Sequence, residues 1–141
     1  MAKPIRSEVD IQRSPEDVFA YLIALENEAL WNEDVTAASH VSGEPGTAGA
    51  TYSRTQRAMG QEMTMVAEVT EVEPGRRFTF RSNGGPAKVT GGYEVEPIAD
   101  GARVVALLEA GKMTTFMRPM VEPRLESALG QLKQLLESGR S

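Results

Sequence analysis

Cysteine is absent from this chain, and histidine occurs once, at His40. The first absence excludes disulfides and thiolate chemistry. Together they leave too few donors for a zinc site, which needs about three or four nitrogen, sulfur or carboxylate ligands. The alternating acids of a calcium loop are missing as well, so neither a metal nor a cofactor is expected. No phosphate cradle is present either, since Gly84-Gly85 and Gly91-Gly92 lack a following Lys-Ser/Thr. No stretch approaches the ~20 apolar residues of a membrane span. The segment from Met1 to Asp10 carries Lys3, Arg6 and Glu8 with no apolar run, unlike a signal peptide. The expectation is a cytoplasmic protein. Nor is there an excess of basic charge: 15 basic residues face 20 acidic ones, a net charge of −5. The bases from Lys112 onward alternate with Glu122, Glu126 and Glu137, the pattern of a solvated face. Nucleic acid is therefore not an expected partner.

What is there is the composition of a globular protein, 40% hydrophobic and 25% charged over 141 residues, read as one domain over 1–141. Ile5, Ser7, Val9 and Ile11 alternate with Arg6, Glu8, Asp10 and Gln12, the period of a strand with one wet face. Ser14-Pro15-Glu16-Asp17 combines a capping residue, a first-turn proline and two acids at the positive end of a helix dipole. Val18, Phe19, Tyr21, Leu22 and Leu25 supply that helix's apolar face, and a second short helix or turn surrounds Trp31. Turn chemistry then divides the chain into strands over 35–42, 49–58, 61–73, 76–82, 87–97 and 102–110. The connections are too short for parallel crossovers, so the pairing is antiparallel. Leu125, Leu129, Leu132 and Leu136 recur at helical spacing in a helix over about 114–138, with Pro119 and Pro123 in its early turns. The fold class is α+β: a curved antiparallel sheet of about seven strands around a long C-terminal helix, with two short helices after the first strand.

Several segments carry a resemblance. Val9-Asp10-Ile11, the run from Ser14 to Leu22, Trp31-Asn32, Val72-Glu73-Pro74-Gly75 before Phe78 and Phe80, Asp100-Gly101 and the helix from Leu125 to Glu137 are similar to the START-like superfamily. That group is also described as polyketide cyclase/dehydrase-like, SRPBCC or Bet v 1-like. The resemblance covers nearly the whole chain and implies a helix-grip fold with a cavity between sheet and long helix. It also implies a choice of roles: binding of lipids, quinones, hormones or polyketides, catalysis of cyclisation, dehydration or hydrolysis, or action as a chaperone cofactor. Fold does not choose among them.

The candidate site residues follow from strand parity and from that resemblance. Tyr52, Arg54 and Gln56 share one face of their strand, and the resemblance turns Tyr52 inward. Arg54 then either reaches the cavity, where it needs Glu68, Glu109 or a ligand carboxylate as partner, or points outward to exposed acids. Tyr93 shares the parity of Val89, Gly91 and Val95 and is expected inward, while His40 is expected to face solvent, opposite Val35, Ala37, Ser39 and Val41. Met63, Met65, Met117 and Met120 are flexible gap-fillers, and Gly91, Gly92 and Ala87 leave little volume on the facing strand. The expected ligand-binding set is Trp31, Tyr52, Arg54, Met63, Met65, Phe78, Phe80, Tyr93, Met117 and Met120. Its expected occupant is an apolar small molecule of lipid, polyketide or aromatic type. A cyclase or dehydratase using Arg54, Tyr93 and Glu68, and an interaction module with a filled interior, are the alternatives. Pairing with a second copy as a homodimer stays open.

Overall fold

The structure, a computed structural model, describes residues 3–58, 60–83 and 88–138. Strand β1 (Ile5–Ile11) buries Ile5, Ser7 and Ile11, half-buries Val9 and exposes Arg6, Glu8 and Asp10. Helix α1 (Pro15–Ile23) starts where the sequence predicts it: the Asp17 amide donates to the Ser14 hydroxyl at 3.2 Å. A 3₁₀ turn (Leu25–Asn27) and the single-turn helix α2 (Glu28–Trp31) follow. The strands β2 (Val35–Ser42), β3 (Thr51–Ala58), β4 (Gln61–Glu73), β5 (Arg77–Asn83), β6 (Val89–Ile98) and β7 (Gly101–Glu109) lie within two residues of their expected bounds. The turn expected at Met59 and most of that expected over 83–86, with Ala87, lie outside the described residues.

The seven strands form one antiparallel sheet in the order β1-β7-β6-β5-β4-β3-β2. Directly paired residues share a face, so the ladders place Ile11 with Ala102, Val104 with Val95, Ala106 with Tyr93, Tyr93 with Phe78, and Phe80 with Val69 on one apolar side. Two covers lie on that side. Helix α1 packs against β6 and β7, and the long helix α3 (Thr114–Glu137) packs against β1 and β7.

One expectation fails at the sheet edge. Strict alternation in β2 puts Val35, Ala37, Ser39 and Val41 inward, but the ladder to β3 shifts register between Val35 and Ala37 and again between His40 and Ser42. Each shift moves later side chains to the opposite face. Val35 is buried, Ala37, Ser39 and Val41 are exposed, and His40 lies across from Tyr52, the two rings meeting edge to face at 5.3 Å. His40 is exposed as expected, yet it stands on the inner side of the edge strand.

Helix α3 is held unevenly. Leu125, Ala128, Leu129, Leu132 and Leu136 are buried, whereas none of residues 115–124 is. Pro119 and Pro123 fall in this second stretch, where each removes a helical hydrogen bond. At its start Thr114 is buried, its hydroxyl accepting from the Ala110 amide and donating to the Gly111 carbonyl. At its end the Glu137 carboxylate accepts from Lys133 Nζ at 2.7 Å and from the Gln12 amide at 2.9 Å. These two donors hold its carboxyl below the usual range. Among the described residues no helix is long and apolar enough to cross a membrane.

Replacing Leu129, which is 1% exposed, with alanine is expected to cost ~2–5 kcal/mol. Chemical denaturation measures this, and an unchanged midpoint for Leu129→Ala contradicts the packing of α3 on the sheet.

Candidate ligand site beneath the short helices

Between the end of α1, the 3₁₀ turn and α2 on one side and strands β3 to β6 on the other, a small pocket remains. Its wall is Leu22 from α1, Leu25 from the 3₁₀ turn, Glu28 and Trp31 from α2, Arg54, Ala67 and Phe80 from β3 to β5, and Tyr93 from β6. Tyr93 is the aromatic centre: Trp31 meets it edge to face at 6.1 Å, and Phe78 and Phe80 lie tilted against it at 5.6 and 6.2 Å. The free volume is about 20 Å³, enough for about one water molecule.

The polar end of this space is an ion pair. Arg54 Nε donates to Glu28 Oε1 at 2.8 Å and Arg54 Nη2 donates to Glu28 Oε2 at 2.9 Å, a bidentate fork, while Arg54 Nη1 donates to Gln56 Oε1. Asn32 adds a side-chain donor to Glu28 Oε2 at 3.3 Å. The two charged side chains are 23% and 13% exposed. Burial works against the charge on Arg54, but the adjacent Glu28 carboxylate outweighs it and holds the guanidinium pKa above its ordinary value. Burial, reinforced by the Glu28 charge and partly offset by Arg54, pushes the Tyr93 hydroxyl far up. It therefore stays protonated at any physiological pH.

Arg54 thus points inward, but its partner is neither Glu68 nor Glu109. Glu68 stands across the ladder from Arg81 and accepts from it at 2.9 and 3.1 Å. It is on the other face of the sheet, opposite in parity to Ala67, and is no candidate for interior chemistry. Of the expected set, Trp31, Arg54, Phe80 and Tyr93 line the pocket. Tyr52 and Phe78 are fully buried beside it rather than in its wall. Met63, Met65 and Met117 are half-buried, off the pocket, and Met120 points out of the fold at 53% exposed. Gly91 and Gly92 do not open space either. A Cβ on Gly91 would meet Phe80 Cζ at 2.9 Å and Leu108 Cδ2 at 2.8 Å, and one on Gly92 would meet the Phe78 carbonyl at 2.6 Å. Larger neighbours already fill the volume those glycines leave. The residue missed in the sequence is Glu28. Its signal is the spacing to Trp31, three positions on, which puts both on one face of a helical turn.

A second depression, of about 450 Å³, lies between the β4–β5 turn and β6. Glu73, Arg76, Arg77, Glu94 and Glu96 dominate its lining, with Glu73 and Arg77 paired to each other at 2.6 Å. It is an open, charged surface and lacks the apolar wall of the first.

With this geometry in view, the chain belongs to the family described as polyketide cyclase / dehydrase and lipid transport, which matches residues 4–137. No curated protein matches it in sequence. Among solved structures it is similar to TTHA0849 from Thermus thermophilus, with a TM-score of 0.79 and 23% identity over 98% of this chain and 99% of that one. It is similar as well to Ara h 8.0201, with a TM-score of 0.72 and 11% identity over 96% and 97% of the two chains. A third likeness is to the di-domain ARO/CYC StfQ from the steffimycin biosynthetic pathway, with a TM-score of 0.75 and 14% identity over 96% of this chain and 51% of that one. At these identities the likenesses establish the fold, a seven-stranded sheet with a long C-terminal helix and short helices after β1.

Breaking the Arg54–Glu28 pair from one side leaves a buried charge without its partner. Glu28→Ala is therefore expected to lower stability by about 3 kcal/mol, the low end for such pairs. The double replacement with Arg54→Ala is expected to fall by less than the sum of the two single losses. Urea denaturation of the three variants checks both, and strict additivity contradicts the coupling.

Proposed function

We propose that this protein binds an apolar small molecule of lipid, polyketide or aromatic type between its sheet and its helices. The observation that carries the reading is an apolar pocket wall interrupted at one point by a buried, hydrogen-bonding pair, the usual composition of a small-molecule site. Family membership supports the same reading.

The pocket is smaller than any such ligand, so occupation requires the wall to move. Beyond Arg54 the inner face continues to Met65, its ladder partner, and to Met63, and beyond Phe80 it continues through Gly91 to Leu108; the two methionines and Leu108 are half-buried. This side is thinly covered because residues 115–124 of α3 place no fully buried side chain there. Methionine chains adjust at little cost, and a helix segment interrupted by two prolines resists displacement less than a continuous one. The pocket thus has a direction in which to grow.

A cyclase or dehydratase reading has the right groups at one place: a carboxylate, a phenol and a guanidinium. Their states weigh against it. Both Glu28 oxygens already accept from Arg54, so the carboxylate is engaged by the protein rather than turned to a substrate proton, and Tyr93 holds its proton too tightly to act as an acid near neutrality. The interaction-module reading has one feature in its favour, the exposed side chains of Met113, just before α3, and of Phe116 and Met120 in its first turns.

Trp31 is the only tryptophan, so its emission reports the pocket alone. Long-chain lipids and polycyclic aromatics are expected to shift or quench it and to raise the melting temperature, with micromolar affinity, about −8 kcal/mol. Ala67→Leu, which adds three carbons to the pocket wall, is expected to weaken binding tenfold or more while costing ~1–3 kcal/mol in stability. If no member of a broad apolar panel changes either signal, the binding reading fails and the interaction-module reading replaces it.

A further inference from the structure

The pair that closes the polar end of the pocket also defines which ligands it accepts. Arg54 has five N–H groups. Three are used, two on Glu28 and one on Gln56, which leaves two without a partner among the described residues. The Tyr93 hydroxyl lines the same space and stays protonated, adding a third donor. The space therefore offers donors and asks for an acceptor. It does not ask for a charge, because Glu28 already occupies the bidentate face of the guanidinium and neutralises it at 2.8 and 2.9 Å. A ligand carboxylate entering here would meet a second carboxylate in a poorly hydrated space, where like charges repel most strongly.

We infer that Glu28 is a specificity-determining residue that excludes acids, so that the pocket selects apolar molecules whose polar group is an uncharged acceptor oxygen: a ketone, an ester or a quinone. This rests on the binding reading above and narrows it. Glu28 acts from the pocket wall in two ways, by setting the charge that Arg54 presents and by placing a carboxylate beside any entering acid. Gln56 supports it from the other side of the guanidinium, and Asn32 holds Oε2 of the carboxylate in place. None of the other wall residues carries a charge: Leu22, Leu25, Trp31, Ala67 and Phe80 are indifferent to the distinction between an acid and its ester.

The test compares naphthoic acid, its methyl ester and acetylnaphthalene by titration calorimetry at pH 7, where the acid is ionised. The wild-type protein is expected to bind the ester and the ketone about tenfold or more tightly than the acid. Glu28→Gln keeps the shape of the side chain and removes its charge, so Arg54 is left unmatched and the acid is expected to overtake the ester. A wall that was merely apolar would favour the ester in both proteins. The double variant Glu28→Gln with Arg54→Gln removes both charges and serves if the single variant does not fold. It is expected to favour the ester again, but with weaker ester binding than wild type, because the guanidinium donors are gone. Wild-type protein that binds the acid as tightly as the ester overturns the inference and leaves the binding reading intact. So does a Glu28→Gln variant with the wild-type preference, or a double variant with undiminished ester binding. Failure of all three probes to bind the wild-type protein sinks both together.

Discussion

A sheet with one apolar face must keep water off that face, and in this chain the task falls mainly on a single helix. The buried half of α3, from Leu125 to Leu136, does it over β1 and β7, with the C-terminus tied down by Glu137, Lys133 and the Arg13 contact to the Leu136 carbonyl at 2.7 Å. Helix α1 covers β6 and part of β7. Neither reaches all of β3 to β5, and there the inner side chains are those that tolerate an incomplete cover: methionines, an arginine and aromatic rings. The uneven hold on α3 and the position of the pocket are two results of one shortage of covering surface.

The Arg54–Glu28 pair stands where that cover is thinnest. Buried ion pairs contribute little net stability, since desolvation consumes most of the attraction. A pair retained at the wall of an otherwise apolar space is better understood through what it does for that space. It ties α2, four residues long and unable to persist alone, to the sheet. It also presents hydrogen-bond donors to the interior without presenting a net charge. Those two effects make the short helices a fitted cover and give the pocket a chemical preference.

Most of the fold was legible in the sequence because its signals are local. Period-two alternation located β1, turn residues separated the later strands, and leucines at helical spacing marked the buried half of α3 while the prolines marked its start. Parity carried Tyr93 to the inner face, and the family resemblance carried Tyr52, Phe78 and Phe80 there. Parity failed in β2, where two register shifts reversed the sides, and no single residue in Val35–Ser42 announces a bulge. The partner of Arg54 was out of reach for another reason. Glu28 lies 26 positions earlier, on a one-turn helix whose orientation is set by packing, and alternation along β3 says nothing about what stands over it. Placing Met120 in the pocket rested on its residue type and not on its face: nine positions before Leu129, it lies on the opposite side of α3 and points outward.

The cover of this fold is firm along one half of its long helix and yielding along the other. Amide hydrogen exchange along α3 tests that most directly, since it reads local opening residue by residue. Residues 115–124, apart from the two prolines that have no amide hydrogen, are expected to exchange at least ~100-fold faster than residues 125–137, which open only with the whole molecule. Exchange at one uniform, globally limited rate from Thr115 to Glu137 would mean that the helix is held as a single rigid unit, and the pocket beside it would have no direction in which to grow.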